Sequence, residues 1–187
     1  NPVGFVGGKI AFGNGLFVNV GISGTDAKVF TSVDGFVWDF RQTVSGGTMS
    51  FTEIGYADAK YVWLIQDASS KKVYNSTDGI TWTLGSTISV SGNLTGITYG
   101  VGTWVFSLTG SPGTMLTSYD GVTFDDQSTG FSSSTVFYAD GIFTTGKHYS
   151  TDGIVWNAAT SPNTPVSITY GNGYFMAVTD ADLKYLY

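Results

Sequence analysis

Ser76-Thr77-Asp78-Gly79-Ile80-Thr81-Trp82, STDGITW, is the segment that decides the fold, because closely similar segments recur along the chain. The other copies are SVDGFVW at 32–38, SYDGVTF at 118–124 and STDGIVW at 150–156. An Asp-Gly pair between alternating apolar and polar residues is a strong hairpin signal, since both central residues of a type I′ turn need a positive φ. Each copy is therefore predicted to be a two-residue hairpin turn followed by a strand.

A second repeated segment alternates with the Asp-Gly segment and has the pattern apolar-x-aromatic-small-x-small-x-aromatic. Its five copies lie at 10–17, 54–61, 97–104, 136–143 and 168–175. Successive copies begin 32 to 44 residues apart, and periods of this length are typical of four-stranded propeller blades. The predicted repeats cover about 8–43, 50–87, 94–128, 134–160 and 165–187.

Composition supports an all-β fold in one domain. The chain has 187 residues, of which 12% are charged, 16% are aromatic and 26 are Gly, and this mixture suits short strands joined by tight turns. Repeat alignment places the chain's last residues just before a fifth Asp-Gly corner, and residues 1–6, with a strand at 3–6, complete that repeat. The prediction is a single five-bladed β-propeller of four-stranded antiparallel blades, closed by pairing of the N- and C-terminal strands.

The Asp-Gly segment resembles the Asp-box, or BNR, repeat of sialidase-like β-propellers, although here Gly follows Asp directly. The resemblance implies that the Ser and Asp side chains bond backbone groups in the turn and that the last aromatic residue packs between blades. The turn residues so assigned are Ser32, Asp34, Gly35, Ser76, Asp78, Gly79, Ser118, Asp120, Gly121, Ser150, Asp152 and Gly153. The core residues are Trp38, Trp82, Phe124 and Trp156. Similar repeats occur in secreted bacterial proteins and in phage tail or surface proteins.

Several kinds of chemistry are excluded by residue counts. Sialidases of the resembled family bind the substrate carboxylate with three arginines, whereas this chain has only Arg41. With no Cys and only His148, metal sites of Cys and His are excluded as well. No cofactor is expected. A calcium site at Asp125-Asp126 or at Asp180 and Asp182 is the alternative.

Glycoside hydrolysis without the three arginines of a sialidase would need two carboxyl groups that face each other. Acidic residues outside the repeated turns are its candidates. They are Asp26, Asp39, Glu53, Asp67, Asp125, Asp126, Asp180 and Asp182. Because solvated carboxylates are ordinary on an acidic protein, the sequence favours a protein that is not an enzyme.

The partner class follows from charge and from the aromatic residues. The net charge of −6 provides no basic stripe for nucleic acid, and no apolar run reaches the roughly 18 residues that membrane insertion needs. Trp63 and Tyr119 break the repeat pattern and are the predicted ligand-binding residues.

The sequence therefore favours a non-enzymatic binding or assembly module, displayed on a particle or outside the cell. A phage virion surface protein with a decoration, fibre or receptor-binding role fits this description. The partner would be another protein or a cell-surface glycan, and assembly into a larger particle would make the chain oligomeric. A glycan-binding lectin is the first alternative, and a glycosidase that uses Asp residues is the second.

Overall fold

The computed structural model describes residues 6–45, 49–67, 70–110, 113–159, 165–179 and 183–186. The regular structure of these residues consists of antiparallel strands in five sheets, without a helix. Four sheets have four strands and the fifth has three. Within each sheet the strands follow one another in chain order, as hairpin after hairpin. The all-β prediction is confirmed.

The chain divides into two compact units. The first unit comprises Asn1–Val90 and Gly121–Phe124, and the second comprises Ser91–Asp120 and Asp125–Tyr187. In the first unit, one sheet contains β1 (Val6–Gly13), β2 (Leu16–Ser23), β3 (Asp26–Ser32) and β4 (Asp39–Ser45). The other contains β5 (Phe51–Ala57), β6 (Lys60–Gln66), β7 (Lys71–Ser76) and β8 (Thr83–Ile88).

The second unit holds the remaining three sheets. The third sheet contains β9 (Asn93–Gly100), β10 (Thr103–Thr109), β11 (Met115–Ser118) and β12 (Asp125–Gln127). The fourth contains β13 (Phe137–Ala139), β14 (Ile142–Thr144), β15 (His148–Ser150) and β16 (Asn157–Ala158). The fifth contains β17 (Pro165–Gly171), β18 (Tyr174–Thr179) and β19 (Leu183–Leu186).

The repeated aromatic residues form a cross-strand pair at the start of every sheet. Phe12 faces Phe17, with ring centroids 4.5 Å apart, and Tyr138 faces Phe143 at 4.6 Å. Equivalent pairs lie in the other three sheets. Such pairs stabilise a hairpin by about 0.2–1 kcal/mol relative to alanine, and they set the register of the first two strands.

Type I′ turns occur in these first hairpins rather than at the Asp-Gly corners. Both turn residues have a positive φ in each hairpin, as with Asn14 at 48° and Gly15 at 75°. The other turn pairs are Asp58-Ala59, Val101-Gly102, Asp140-Gly141 and Asn172-Gly173. The prediction of type I′ turns at the Asp-Gly corners is therefore wrong. In each Asp-Gly pair, only the glycine has a positive φ.

The Asp-Gly corner is wider than a two-residue turn because side chains bond its backbone. At the first corner, Ser32 Oγ accepts from the amide of Gly35 at 2.8 Å, and Asp34 Oδ1 accepts from the amides of Phe36 and Val37 at 2.8 and 3.0 Å. Trp38 Nε1 donates to the Gly35 carbonyl at 3.0 Å. The second and fourth corners repeat these bonds. The backbone thus runs from residue 33 to 38 before β4 begins.

The aromatic residue that ends each Asp-Gly segment differs in burial between corners. Trp82 and Phe124 are buried, whereas Trp38 and Trp156 are half-buried. Trp82 packs edge-on against Trp63 in the core of the first unit, with ring centroids 5.3 Å apart. Contributions of these four residues to stability are therefore unequal.

The predicted fifth corner lies mostly outside the described residues. Residues 1–5 are outside, and Val6 belongs to β1, where it pairs with Ile22 of the first sheet. Assignment of Val6 to a strand of the last repeat is thus wrong. Among the described strands, the fifth sheet ends at β19.

Candidate functional site

An open cleft of about 440 Å³ lies on the second sheet of the first unit. It is bounded by β7, β8, the corner between them and Val122. Most of its lining residues are polar: Lys60, Asn75, Ser76, Thr77, Asp78, Thr81 and Thr83. Leu84, which is 48% exposed, adds an apolar surface. A ligand in this cleft would thus meet hydroxyl and charged groups beside two aliphatic side chains, Leu84 and Val122.

Gly85 is packed tightly between Asn75 and Val122 in the wall of the cleft. The pairing of Lys72 with Thr87 and of Tyr74 with Leu84 leaves one extra residue in β8, which is a β-bulge. A Cβ atom on Gly85 would lie 2.8 Å from Asn75 Nδ2 and 2.9 Å from the Val122 carbonyl oxygen. Any side chain at this position would thus clash with the Asn75 amide and the Val122 carbonyl.

Asn75 has a buried amide with no partner in the described structure. Both Oδ1 and Nδ2 are shielded from solvent and lack a hydrogen bond, although the residue lines the cleft. An unsatisfied buried polar group costs roughly 1–3 kcal/mol, and such a group in a native protein calls for a physical explanation. Both atoms are closed to solvent, so the amide is an unsatisfied group within the wall of the cleft and not a contact point for a molecule in it.

The charges among the lining residues are balanced. Asp78 is the acidic residue and Lys60 the basic one. Burial acts to raise the pKa of Asp78, but hydrogen bonds from the Thr81 and Ile80 amides and the Ser76 hydroxyl outweigh it and lower the pKa. The carboxylate is therefore ionised and already bonded to its own corner. A catalytic pair of carboxyl groups is not formed by the described lining of this cleft.

The predicted ligand residue Trp63 is a core residue. Its side chain is 0% exposed, its Nε1 donates to Thr52 Oγ1 at 2.6 Å, and its ring packs against Tyr74 and Trp82. No face of the ring is available for stacking, and Trp63 is withdrawn as a ligand residue. Tyr119, by contrast, is 70% exposed at the third corner, and its role in binding stays a prediction.

The acidic residues outside the turns mostly have structural partners. Asp39 bonds Arg41, and Asp67 contacts Lys72. Asp125 and Asp126 are successive residues of β12, so their side chains point to opposite faces of the sheet. Asp126 also accepts a hydrogen bond from Thr114. These two carboxylates do not converge on one ion, and Asp180 and Asp182 lie outside the described residues.

Glu53 differs from the other acidic residues. It is buried in β5 and forms an ion pair with Lys9 at 2.8 Å. Desolvation raises the pKa of Glu53, and the hydrogen bond and charge of Lys9 oppose this rise without cancelling it. Among the described residues, no group of three His, Cys, Asp or Glu could hold a metal ion.

Asn75 and Gly85 are the cleft residues that the sequence analysis missed. A signal for them exists in the repeats, because Arg41 and Gln127 stand where Gly85 stands, and Thr31 and Thr117 stand where Asn75 stands. The second repeat therefore has glycine at a position where the first and third repeats have a long polar residue.

Comparisons with protein-family profiles and with curated sequences find no match. Solved structures do match. The GH43 protein BlXynB from Bacillus licheniformis has a TM-score of 0.56 at 14% identity, over 96% of this chain and 49% of that one. The Bombyx mori GH32 beta-fructofuranosidase BmSUC1 has a TM-score of 0.54 at 12% identity, over 94% and 55%. The structure of BBS1N in complex with ARL6DN has a TM-score of 0.59 at 10% identity, over 100% of this chain and 66% of that one.

These likenesses show a β-propeller fold. The chain spans about half the length of the GH43 and GH32 structures. Glycoside hydrolases of families 117, 43 and 32 are all among the similar structures. This finding overturns the leading expectation of a non-enzymatic phage or particle module. The described residues contain no helix long and apolar enough to cross a bilayer.

Proposed function

We propose that this chain is a carbohydrate-recognising β-propeller that holds a glycan in the cleft beside Gly85. The observation that carries the proposal is the likeness in fold to glycoside hydrolases of families 117, 43 and 32, together with an open cleft whose lining includes hydroxyl groups. A sugar hydroxyl both donates and accepts hydrogen bonds, so it can pair with threonine hydroxyls of this lining.

The remaining lining suits a sugar as well. Thr77, Thr81 and Thr83 supply hydroxyl groups to the lining of the cleft. The exposed side chain of Leu84 offers an apolar contact to the C–H face of a pyranose ring. Structural similarity to glycoside hydrolases supports a carbohydrate as the ligand class.

The architecture proposed with this function is one propeller in which each of the five sheets is a blade. The repeated corners support it, because the same Ser, Asp and Trp contacts recur at the first, second and fourth. We also propose that these corners are Asp-box repeats shortened by one residue.

A glycan array followed by calorimetry tests the function. The Leu84→Ala variant should weaken binding of the selected oligosaccharide about tenfold, because a loss of 1.4 kcal/mol is tenfold in Kd. Phe40→Ala is the matched control, since Phe40 is the exposed second residue of β4 as Leu84 is of β8, but it lies in the first sheet. This control variant should bind the oligosaccharide with the wild-type affinity. Equal loss in both variants, or no saccharide bound by the folded wild type, would refute the proposal.

Glycoside hydrolysis is a second candidate function, favoured by the enzyme structures and by Glu53. A buried carboxyl group with a raised pKa is suited to act as a general acid near neutral pH. If Glu53 has this role, the wild type should hydrolyse chromogenic glycosides, and Glu53→Gln should lower kcat by about 10²–10⁴. Asp39→Asn is the control, because Asp39 is exposed and bonded to Arg41. Absence of turnover in the wild type would remove this candidate and leave binding alone.

A further inference from the structure

The two sheets of the first unit pack through a contact that uses four repeat positions. Gly13, at the end of β1, lies against the ring of Tyr56 in β5, so that a Cβ atom on Gly13 would enter the ring. Val18 of β2 lies against the second Asp-Gly corner, since a Cβ on Gly79 would be 2.7 Å from Val18 Cγ2. We call the surface with Gly13 and Val18 the trailing face of the first sheet, and the surface with Tyr56 and Gly79 the leading face of the second.

The second unit repeats this contact between the third and fourth sheets. Gly100, at the end of β9, lies against the ring of Tyr138 in β13, and a Cβ on Gly153 would be 2.7 Å from Val105 Cγ2. The four residues occupy the same repeat positions as their counterparts in the first unit. A trailing face thus offers a glycine and a buried valine, and a leading face covers them with an aromatic ring and a corner glycine.

The leading face of the first sheet has the same residue types but is uncovered. Phe12 stands at the position of the covering ring, and Gly35 stands at that of the corner glycine. Phe12 is 57% exposed, and a Cβ on Gly35 would meet no described atom closer than 4.0 Å. Ile10 is 56% exposed, whereas its counterparts Ile54 and Val136 are buried. The first sheet thus presents an apolar surface that the second and fourth sheets keep buried.

The trailing face of the fifth sheet is also uncovered. Gly171, at the end of β17, would have no described atom within 4 Å of an added Cβ. Met176 is half-buried, whereas Val18 and Val105 at the same repeat position are fully buried. Val178, two residues further along β18 and on the same face, is 45% exposed. The fifth sheet thus offers the glycine and the apolar side chains that a leading face would cover.

We infer that copies of this chain associate head to tail, with the leading face of the first sheet in one copy packed on the trailing face of the fifth sheet in the next. Phe12 then covers Gly171, and Met176 contacts Gly35, as in the sheet contacts inside each unit. A second copy is the partner because each chain exposes both halves of the same contact. Exposed apolar surfaces mark association sites, and a head-to-tail interface builds rings or open filaments. The inference is independent of the glycan proposal, because the cleft lies on the second sheet.

The first experiment blocks one face at a time. Ile10→Arg places a charge on the leading face, and Val178→Arg places one on the trailing face. In light scattering, the wild type should show an average mass that exceeds that of one chain and rises with protein concentration. Each variant alone should be monomeric. An equimolar mixture of the two variants should form dimers, because one variant keeps an intact trailing face and the other keeps an intact leading face.

Tyr149→Arg is the matched control for these variants, because Tyr149 is an exposed residue of β15 in the fourth sheet. This control should associate as the wild type does, and circular dichroism establishes that each variant is folded. A wild type that stays monomeric at high concentration would overturn the inference. A mixture of the two folded blocking variants that forms no dimer would overturn it as well.

The second experiment cross-links the contact in a chain that has no cysteine of its own. Phe12→Cys and Gly171→Cys, mixed as separate variants and oxidised, should give a disulfide-linked dimer with one chain of each, identified by mass spectrometry. The two positions come within disulfide reach, because a Cβ on Gly13 would contact Cγ of Tyr56 in the corresponding contact of the first unit. A control mixture with Tyr149→Cys in place of Gly171→Cys should give no such dimer.

The double variant with Phe12→Cys and Gly171→Cys shows which chain supplies the partner. Association between copies should link successive chains into a ladder on a non-reducing gel. A disulfide confined to single chains, or no disulfide at all, would overturn the inference. Neither experiment needs a saccharide, so their outcomes leave the glycan proposal to its own test.

Discussion

Gly79→Ala should destabilise the protein much more than the same change at Gly35. The two glycines occupy equivalent places in the second and first Asp-Gly corners, with φ of 73° and 78°. Alanine at either position must adopt a left-handed backbone, which costs about 1 kcal/mol. A Cβ on Gly35 would meet nothing closer than 4.0 Å, whereas one on Gly79 would lie 2.7 Å from Val18 Cγ2 and 3.2 Å from Tyr61 Cε2.

The crowding at Gly79 has no easy relief. Val18 is fully buried, and the hydroxyl of Tyr61 donates to the carbonyls of Gly13 and Leu16 at 2.5 and 2.9 Å. Overpacking of this kind costs about 1–3 kcal/mol in addition to the backbone term. The expected losses are therefore about 1 kcal/mol for Gly35→Ala and about 2–4 kcal/mol for Gly79→Ala.

Urea unfolding monitored by tryptophan fluorescence measures both losses. The difference between the two variants isolates packing, because backbone strain and the entropy of the unfolded chain are the same in both. The slope of the unfolding free energy against urea should match the wild type. Gly153→Ala extends the test to the second unit, since its Cβ would lie 2.7 Å from Val105 Cγ2. Equal losses at Gly35 and Gly79 would refute the packing argument.

Three more predictions concern buried side chains. Tyr61→Phe should lose about 1–3 kcal/mol in urea unfolding, because two backbone carbonyls lose a buried donor; an unchanged midpoint would contradict this. Trp82→Ala should lose about 3–5 kcal/mol and Trp38→Ala clearly less, since only the first is buried; similar losses in denaturant titrations would count against the burial difference. His148 stacks on Phe131 at 3.6 Å, and burial lowers its pKa below 6.5, assisted by a nearby lysine. The stability that neutral His148 contributes is therefore complete above pH 6.5 and falls on acidification. Replacement of His148 by Gln should make the melting temperature less dependent on pH between about pH 7 and 5.

The periodic aromatic residues predicted the sheets well because their effect is local. Tyr138 and Phe143 face each other across a two-residue turn, and the residues that specify the pair are close in sequence. The strand pairing therefore needed no knowledge of distant contacts. The alternation of small and aromatic residues was sufficient.

The Asp-Gly corner was predicted less well because two local rules compete there. Asp34-Gly35 satisfies the composition rule for a type I′ turn. The side chains of Ser32 and Asp34 accept backbone hydrogen bonds and widen the corner instead. In contrast, Val101-Gly102 adopts the type I′ turn although valine is uncommon at positive φ. The aromatic pair beside it fixes the register and imposes that geometry.

The cleft could not be predicted from one repeat at a time. Its wall depends on an extra residue in β8 and on the packing of Gly85 against Asn75 and Val122, which are distant in sequence. Trp63 was misinterpreted for the same reason. Its residue type differs from that of the other repeats, yet its ring packs in the core of the first unit against Tyr74 and Trp82.

The extra residue in β4 and in β8 also affects how separate molecules meet. Each of these strands is the last in its sheet, so its outer backbone groups have no partner strand within that sheet. A straight edge of this kind can template cross-β association between chains. A bulge interrupts the even spacing of the N–H and C=O groups and increases the local twist. Deletion of Arg41 or Ser86 would restore an even spacing, and such a variant should aggregate into fibres more readily than the wild type.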